Sequence, residues 1–173
     1  MARLQLLLLI TSCLSSLVAA PNTVVIVRHA EKESTGADPA LTKAGAERAR
    51  LLARMIQDVK VSAIFSSDKL RTQQTAGPSA EFLKLKPVTV PAADVTGLSE
   101  RILDQSGEAV LVVGHSNTVP EIVKALGGPA DLAIDESEYD KLFVLTLRPG
   151  QSAVLVVLRY GVNAKAASSG GGL

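Results

Sequence analysis

The chain has 173 residues, 18 basic and 17 acidic, for a formal net charge of +1, with one cysteine, no tryptophan and 3% aromatic residues. A balance so near zero sets aside a nucleic-acid binder that works by neutralising phosphates. A single cysteine excludes an intrachain disulfide framework, and with so few aromatics the core must be built from Val, Leu, Ile and Ala.

The N-terminus comes first, because a cleaved segment contributes nothing to a fold. Arg3, an apolar run from Leu4 to Ile10 and the small residues of Val18-Ala19-Ala20 form the three parts of an export signal. Cleavage is expected near Ala20, leaving Pro21 or Asn22 first, and the protein is expected to be secreted or periplasmic, without stable membrane insertion. A retained anchor fits less well, since Thr11, Ser12, Ser15 and Ser16 interrupt a run that would need ~20 mostly apolar residues. Lipid anchoring at Cys13 is the minor alternative. Loss of residues 1–20 removes Arg3 and leaves basic and acidic residues equal in number. Residues 21–163 are the size of one domain, and the glycine-rich stretch 164–173 reads as a disordered tail.

Val24-Val25-Ile26-Val27 is too short for a helix and apolar on both faces, which predicts a strand buried in a parallel sheet. Thr42 then caps a predicted helix to about Asp58, with Leu41, Ala44, Leu51, Leu52, Met55 and Ile56 on one arc and Lys43, Glu47, Arg50 and Arg54 opposite. Arg48 falls inside the apolar arc, which assigns it to a pair or a snorkelling position at the helix–sheet seam. Val61-Ser62-Ala63-Ile64-Phe65 is a second buried strand. A second helix, from near Ser67 to about Leu83, is expected to bend or break at Gly77-Pro78.

Pro87-Val88-Thr89-Val90 is an edge strand by virtue of its proline, and Ala109-Val110-Leu111-Val112-Val113 a third buried strand. A helix from Val119 to about Leu126 stops at Gly127-Gly128-Pro129. Strands at 142–147 and 153–158 flank Pro149-Gly150 as an antiparallel pair. Strand and helix in alternation predict an α/β fold, a three-layer sandwich with a mainly parallel central sheet flanked by helices.

In such a sheet a ligand binds beyond the carboxyl ends of the strands. Both histidines lie there: His29 in Arg28-His29-Ala30-Glu31-Lys32 and His115 in Gly114-His115-Ser116-Asn117-Thr118. A third strand end delivers Ser66-Ser67-Asp68-Lys69-Leu70-Arg71-Thr72. Each residue alone has an ordinary reading, a packed histidine or a solvated arginine. Two histidines and two arginines at three strand ends instead form a cationic cluster suited to a tetrahedral dianion, because guanidinium forks match phosphate oxygens and imidazole can attack phosphorus or donate to its oxygens.

Four segments, Val25-Ile26-Val27-Arg28-His29-Ala30-Glu31-Lys32, Leu41-Thr42-Lys43-Ala44-Gly45, Ser66-Ser67 through Arg71-Thr72 to Thr75-Ala76, and Val113-Gly114-His115-Ser116-Asn117-Thr118, resemble the successive motifs of the histidine phosphatase superfamily, in that order. The resemblance implies a phosphoglycerate mutase-like fold and a metal-independent phosphohydrolase without a cofactor. It implies that His29 is the nucleophile that becomes phosphorylated, that Arg28, Arg71 and Asn117 bind the phosphoryl group, and that His115 completes the pocket. The partner is then a small phosphorylated substrate or a phosphohistidine-bearing protein. A mutase-like phosphotransferase and a non-catalytic binder of phosphorylated ligands are the rivals. A metal hydrolase fits poorly, since His29 and His115 are far apart in sequence with no Cys or acidic cluster.

Two positions depart from the family pattern. Ala30 stands where the best-known motif has glycine, and Ser116 stands where digestive-type members carry the proton-donating Asp. The donor candidates are Asp94, after the edge strand, and Glu31, two residues from the nucleophile; Glu121 is a weaker one, and each also reads as a solvated carboxylate. Without a donor, good leaving groups remain feasible and alkyl phosphates become slow.

Overall fold

The computed structural model describes residues 21–162. The expected leader with Cys13 and the expected tail at 164–173 lie outside the described residues. No helix among these residues is long and apolar enough to cross a membrane.

Among the described residues six strands form one sheet: β1 (Thr23–Arg28), β2 (Val61–Ser67), β3 (Val88–Val90), β4 (Ala109–Gly114), β5 (Lys141–Thr146) and β6 (Val154–Arg159). Their order across the sheet is β3-β2-β4-β1-β5-β6. The first four are parallel, and β5 and β6 add an antiparallel edge. The chain steps one way from β1 through β2 to β3, then returns to insert β4 between β2 and β1. Right-handed crossovers therefore put the outbound helices on one face and the returning ones on the other. The outbound helices are α1 (Lys43–Met55) and α2 (Leu70–Leu83); the returning ones are α3 (Val95–Leu103) and α4 (Thr118–Ala125).

Both faces of the central strands β1, β2 and β4 are consequently buried, which is why these strands read as apolar runs, whereas the edge strand β6 is apolar but largely exposed. Val24 and Ile26 of β1, with Val110 and Val112 of β4, pack with Ile102, Val119 and Ile122 of α3 and α4. Val25 and Val27, with Leu111 and Val113, pack with Leu52 of α1 and Ala76 and Ala80 of α2.

Local chemistry sets the helix limits. Thr42 accepts a hydrogen bond from Gly45 N at 3.1 Å, capping α1. Gly45 is required for a second reason: a Cβ there would stand 2.1 Å from the Glu31 carbonyl oxygen, so only glycine lets α1 approach the backbone that follows β1. α2 runs through Pro78 as one helix rather than breaking, because proline's φ is helical and its loss is one bond, while the buried face from Thr72 to Ala80 holds the helix on the sheet. The nine-residue α3 is not anticipated by the sequence reading, since it is short and contains Gly97; Asp94 caps it, accepting from Gly97 N at 3.0 Å.

Arg48, only 7% exposed, is the pairing arginine expected at the seam. Its Nε and Nη2 donate to the Glu31 carboxylate at 2.7–3.0 Å, and its Nη1 and Nη2 donate to the carbonyls of Tyr160 (2.6 Å) and Val162 (2.7 Å). The side chain thus ties α1 to the loop after β1 and to the chain after β6. Removing one partner of a buried pair costs about 3–5 kcal/mol, since it strands the other charge. Arg48→Ala is expected to lower the thermal midpoint by roughly 10 °C, with Arg48→Lys intermediate. A melt of Arg48→Ala within a degree or two of wild type would show that this anchor is dispensable.

Candidate active site

Strand order explains how three distant motifs meet. β4 lies between β2 and β1, with Arg28 in register with Gly114 and Ser66 with Val113. The His29 N–H continues the ladder, donating to Gly114 O at 2.8 Å. The segments after β1, β2 and β4 therefore surround one cleft of about 580 Å³, whose wall includes Arg28, His29, Arg71, His115 and Asn117.

His29 lies at its base, 3% exposed. Its Nδ1 is 2.8 Å from Ala30 O, and a carbonyl only accepts, so Nδ1 carries the proton and Nε2 keeps its lone pair. Burial drives the pKa down to about 3, more strongly than the Ala30 bond raises it, and Arg28 adds to the lowering. The ring is neutral at neutral pH. Thr75 Oγ1 holds this loop by accepting from Ala30 N at 3.0 Å, so Thr75 in the third motif positions the first.

The His115 ring is 5.3 Å from that of His29, edge to face. Its Nδ1 is 3.4 Å from Arg71 Nη2, which can only donate, so Nε2 carries the proton and donates to Ser67 Oγ at 2.8 Å. Burial first, then the Arg71 charge, lowers its pKa to about 4. Ser67 is bonded in turn to Thr72 Oγ1 at 2.8 Å, which fixes the ring from behind.

The two arginines are held differently. Arg71 faces Asp38 at 3.5 Å, and the same carboxylate accepts from Leu70 N at the start of α2. Arg28 sits at a strand end but not outside the protein, at 3% exposure. Its Nη1 donates to the carbonyls of Asp135 (3.1 Å), Glu136 (2.7 Å) and Glu138 (3.1 Å), and its Nη2 to Glu136 Oε2 at 2.7 Å. The guanidinium carbon also lies 4.2 Å from the Tyr139 ring centroid. Arg28 thereby organises residues 135–139 of the loop between α4 and β5. The Nε atoms of both arginines are buried without a hydrogen-bond partner. Each is a costly orphan donor on a residue that lines the cleft.

The carboxylates fall out unlike the sequence expectation. Glu31 is committed to Arg48 and does not line the cleft. Asp94 is spent on the cap of α3, and the wall ends at Ala92 and Ala93. Glu121 does line the cleft, and so does Glu136, which the sequence reading missed. Glu136 accepts from Ser116 Oγ as well as from Arg28; these contacts, the Ser116 bond foremost, hold its carboxyl below the usual range. The only sequence signal for it is the acidic run Asp135-Glu136-Ser137-Glu138. Among the described residues no group of three or more His, Cys, Asp or Glu could hold a metal ion.

An α/β sandwich whose parallel strands end in a buried, neutral, tautomerically fixed histidine flanked by a second histidine and two arginines is a scaffold for handling a tetrahedral oxyanion. The model of the histidine phosphatase superfamily (branch 1) matches residues 24–94, a stretch that contains Arg28, His29 and Arg71. Over that stretch the chain is similar to the histidine phosphatase superfamily, and its fold is phosphoglycerate mutase-like. Solved structures bear out that fold. The protein histidine phosphatase SixA complexed with tungstate superposes with a TM-score of 0.66 at 22% identity, over 79% of this chain and 96% of that one. A mycobacterial glucosyl-3-phosphoglycerate phosphatase gives 0.63 at 15% identity, covering 81% and 99%. Phosphoglycerate mutase from Plasmodium falciparum gives 0.57 at 24%, covering 80% and 89%. No curated protein sequence matches the chain.

Proposed function

We propose that this protein is an exported phosphohydrolase that works through a phosphohistidine on His29. Its substrates are phosphomonoesters or phosphoramidates, the phosphohistidine of another protein among them. The observation that supports this best is the tautomer of His29: Nδ1–H is anchored on Ala30 O, which leaves the Nε2 lone pair in the cleft and neutral at working pH. Nε2 attacks phosphorus in line, the P–O or P–N bond breaks, and the leaving group departs with the electron pair. Arg28 and Arg71, both in the cleft wall, bring positive charge to the equatorial oxygens. A dianion in the cleft offsets the arginine charge, the second of the two causes that hold His115 neutral, and so favours a protonated ring that can donate. Water attacks the phosphohistidine, releases phosphate and returns Nε2. An open cleft fits a phosphoryl group presented on another protein's surface, and SixA, described as a protein histidine phosphatase, has this fold.

The test is a panel of aryl phosphate, acyl phosphate, alkyl phosphate and phosphohistidine peptide on the protein beginning at Pro21. Phosphate release that is insensitive to EDTA is expected. Loss of release with chelator, restored by a divalent cation, would overturn a metal-independent mechanism. For export, N-terminal sequencing of protein from the envelope or medium should begin at Pro21 or Asn22, and an intact Met1 would refute cleavage.

A further inference from the structure

We propose that Glu136 is the acid–base residue of this site, protonating the leaving group and then accepting the proton of the water that releases phosphate. This rests on the phosphohydrolase reading above. Of the two carboxylates in the cleft wall, Glu121 and Glu136, it is Glu136 that is bonded to the groups that would handle phosphate. Its Oε2 is 2.7 Å from Arg28 Nη2, and its Oε1 accepts from the hydroxyl of Ser116, the residue after His115.

Position favours a role at the leaving group. His29 is buried at the base of the cleft at 3% exposure, whereas the Glu136 side chain is 81% exposed. In-line attack by a buried nucleophile sends the leaving group the opposite way, towards solvent, which is where Glu136 stands. In the free protein the carboxylate is ionised against Arg28. A phosphoryl group competes for that guanidinium, and Glu136 then sits beside an anion and takes up a proton, from solvent or from a monoanionic substrate.

The steps balance. The Nε2–P bond forms, the P–O bond breaks, and the leaving oxygen, holding the electron pair, takes the proton of Glu136. Water oxygen then bonds to phosphorus, the Nε2–P bond breaks with its pair returning to Nε2, and the water proton goes to the Glu136 carboxylate.

The test is Glu136→Gln, which keeps shape and hydrogen bonding but carries no transferable proton, measured by rapid quench in a single turnover. Release of an alcohol from an alkyl phosphate should fall about 10²–10³-fold, and release of nitrophenolate from an aryl phosphate by less than about tenfold, because a good leaving group needs no proton. Glu136→Asp should recover part of the alkyl rate. Equal losses on both esters would overturn the proposal and leave Glu136 as a positioning group for Arg28. An unchanged alkyl rate with tighter phosphate binding would also overturn it, making Glu136 an anion mimic that blocks the cleft. Wild-type protein that releases nitrophenolate but no alcohol has no working acid and refutes the proposal alone. Wild-type protein that releases neither refutes the phosphohydrolase reading and the proposal with it.

Discussion

His29→Ala is expected to abolish turnover, by about 10⁴–10⁶-fold, and to abolish covalent labelling with it. No other side chain in the cleft combines a free lone pair with a fixed orientation. His115 comes nearest, but its Nε2 proton is given to Ser67 and its Nδ1 faces Arg71. His115→Ala should therefore slow the reaction by only about 10²–10³-fold, the scale of one lost transition-state donor, and weak labelling of His29 should persist. Acid quench with labelled substrate, then peptide mapping under alkaline conditions that spare phosphoramidates, locates the adduct. A label on His115 with His29 unmodified would reverse the two roles. Phosphate release that survives His29→Ala without any adduct would replace covalent catalysis by direct attack of water.

The arginines should separate by stability although both lose activity. Arg71→Ala removes a phosphate donor and a contact to Asp38 at 3.5 Å, so turnover is expected to fall about 10²–10³-fold with a nearly unchanged melt. Arg28→Ala should cost at least as much activity and also destabilise the fold by roughly 1–3 kcal/mol, because three loop carbonyls lose their donor together. Hydrogen exchange in residues 135–139 should rise in Arg28→Ala and not in Arg71→Ala. Arg28→Lys keeps the charge but cannot span three carbonyls and an oxyanion, so it should stay well below wild type. Near-wild-type turnover in either alanine variant would mean that the oxyanion site is wrongly assigned; equal exchange in both would mean that Arg28 does not hold the loop.

The buried strands were legible in the sequence because burial on both faces leaves an unbroken apolar run, as in Val24-Val25-Ile26-Val27 and Ala109-Val110-Leu111-Val112-Val113. Their polar ends were legible for the same reason: His29, Arg71 and His115 stand just past runs that could only end at the rim of a sheet. Arg48 was readable as a pairing residue because it breaks a helical arc, but its partner was not. Glu31, read as a donor of protons, is claimed by Arg48 across 17 positions, and Asp94 by the first turn of a helix too short and glycine-bearing to show a period. Glu136 reaches Arg28 from 108 positions away, in a loop with neither strand nor helix repeat. Periodicity reports how a residue faces its own element, and it made the histidine–arginine cluster visible. Which carboxylate meets which cation depends on strand order and loop path, where β4 inserts beside β1 and a loop closes over Arg28, and those are decided only when distant segments pack.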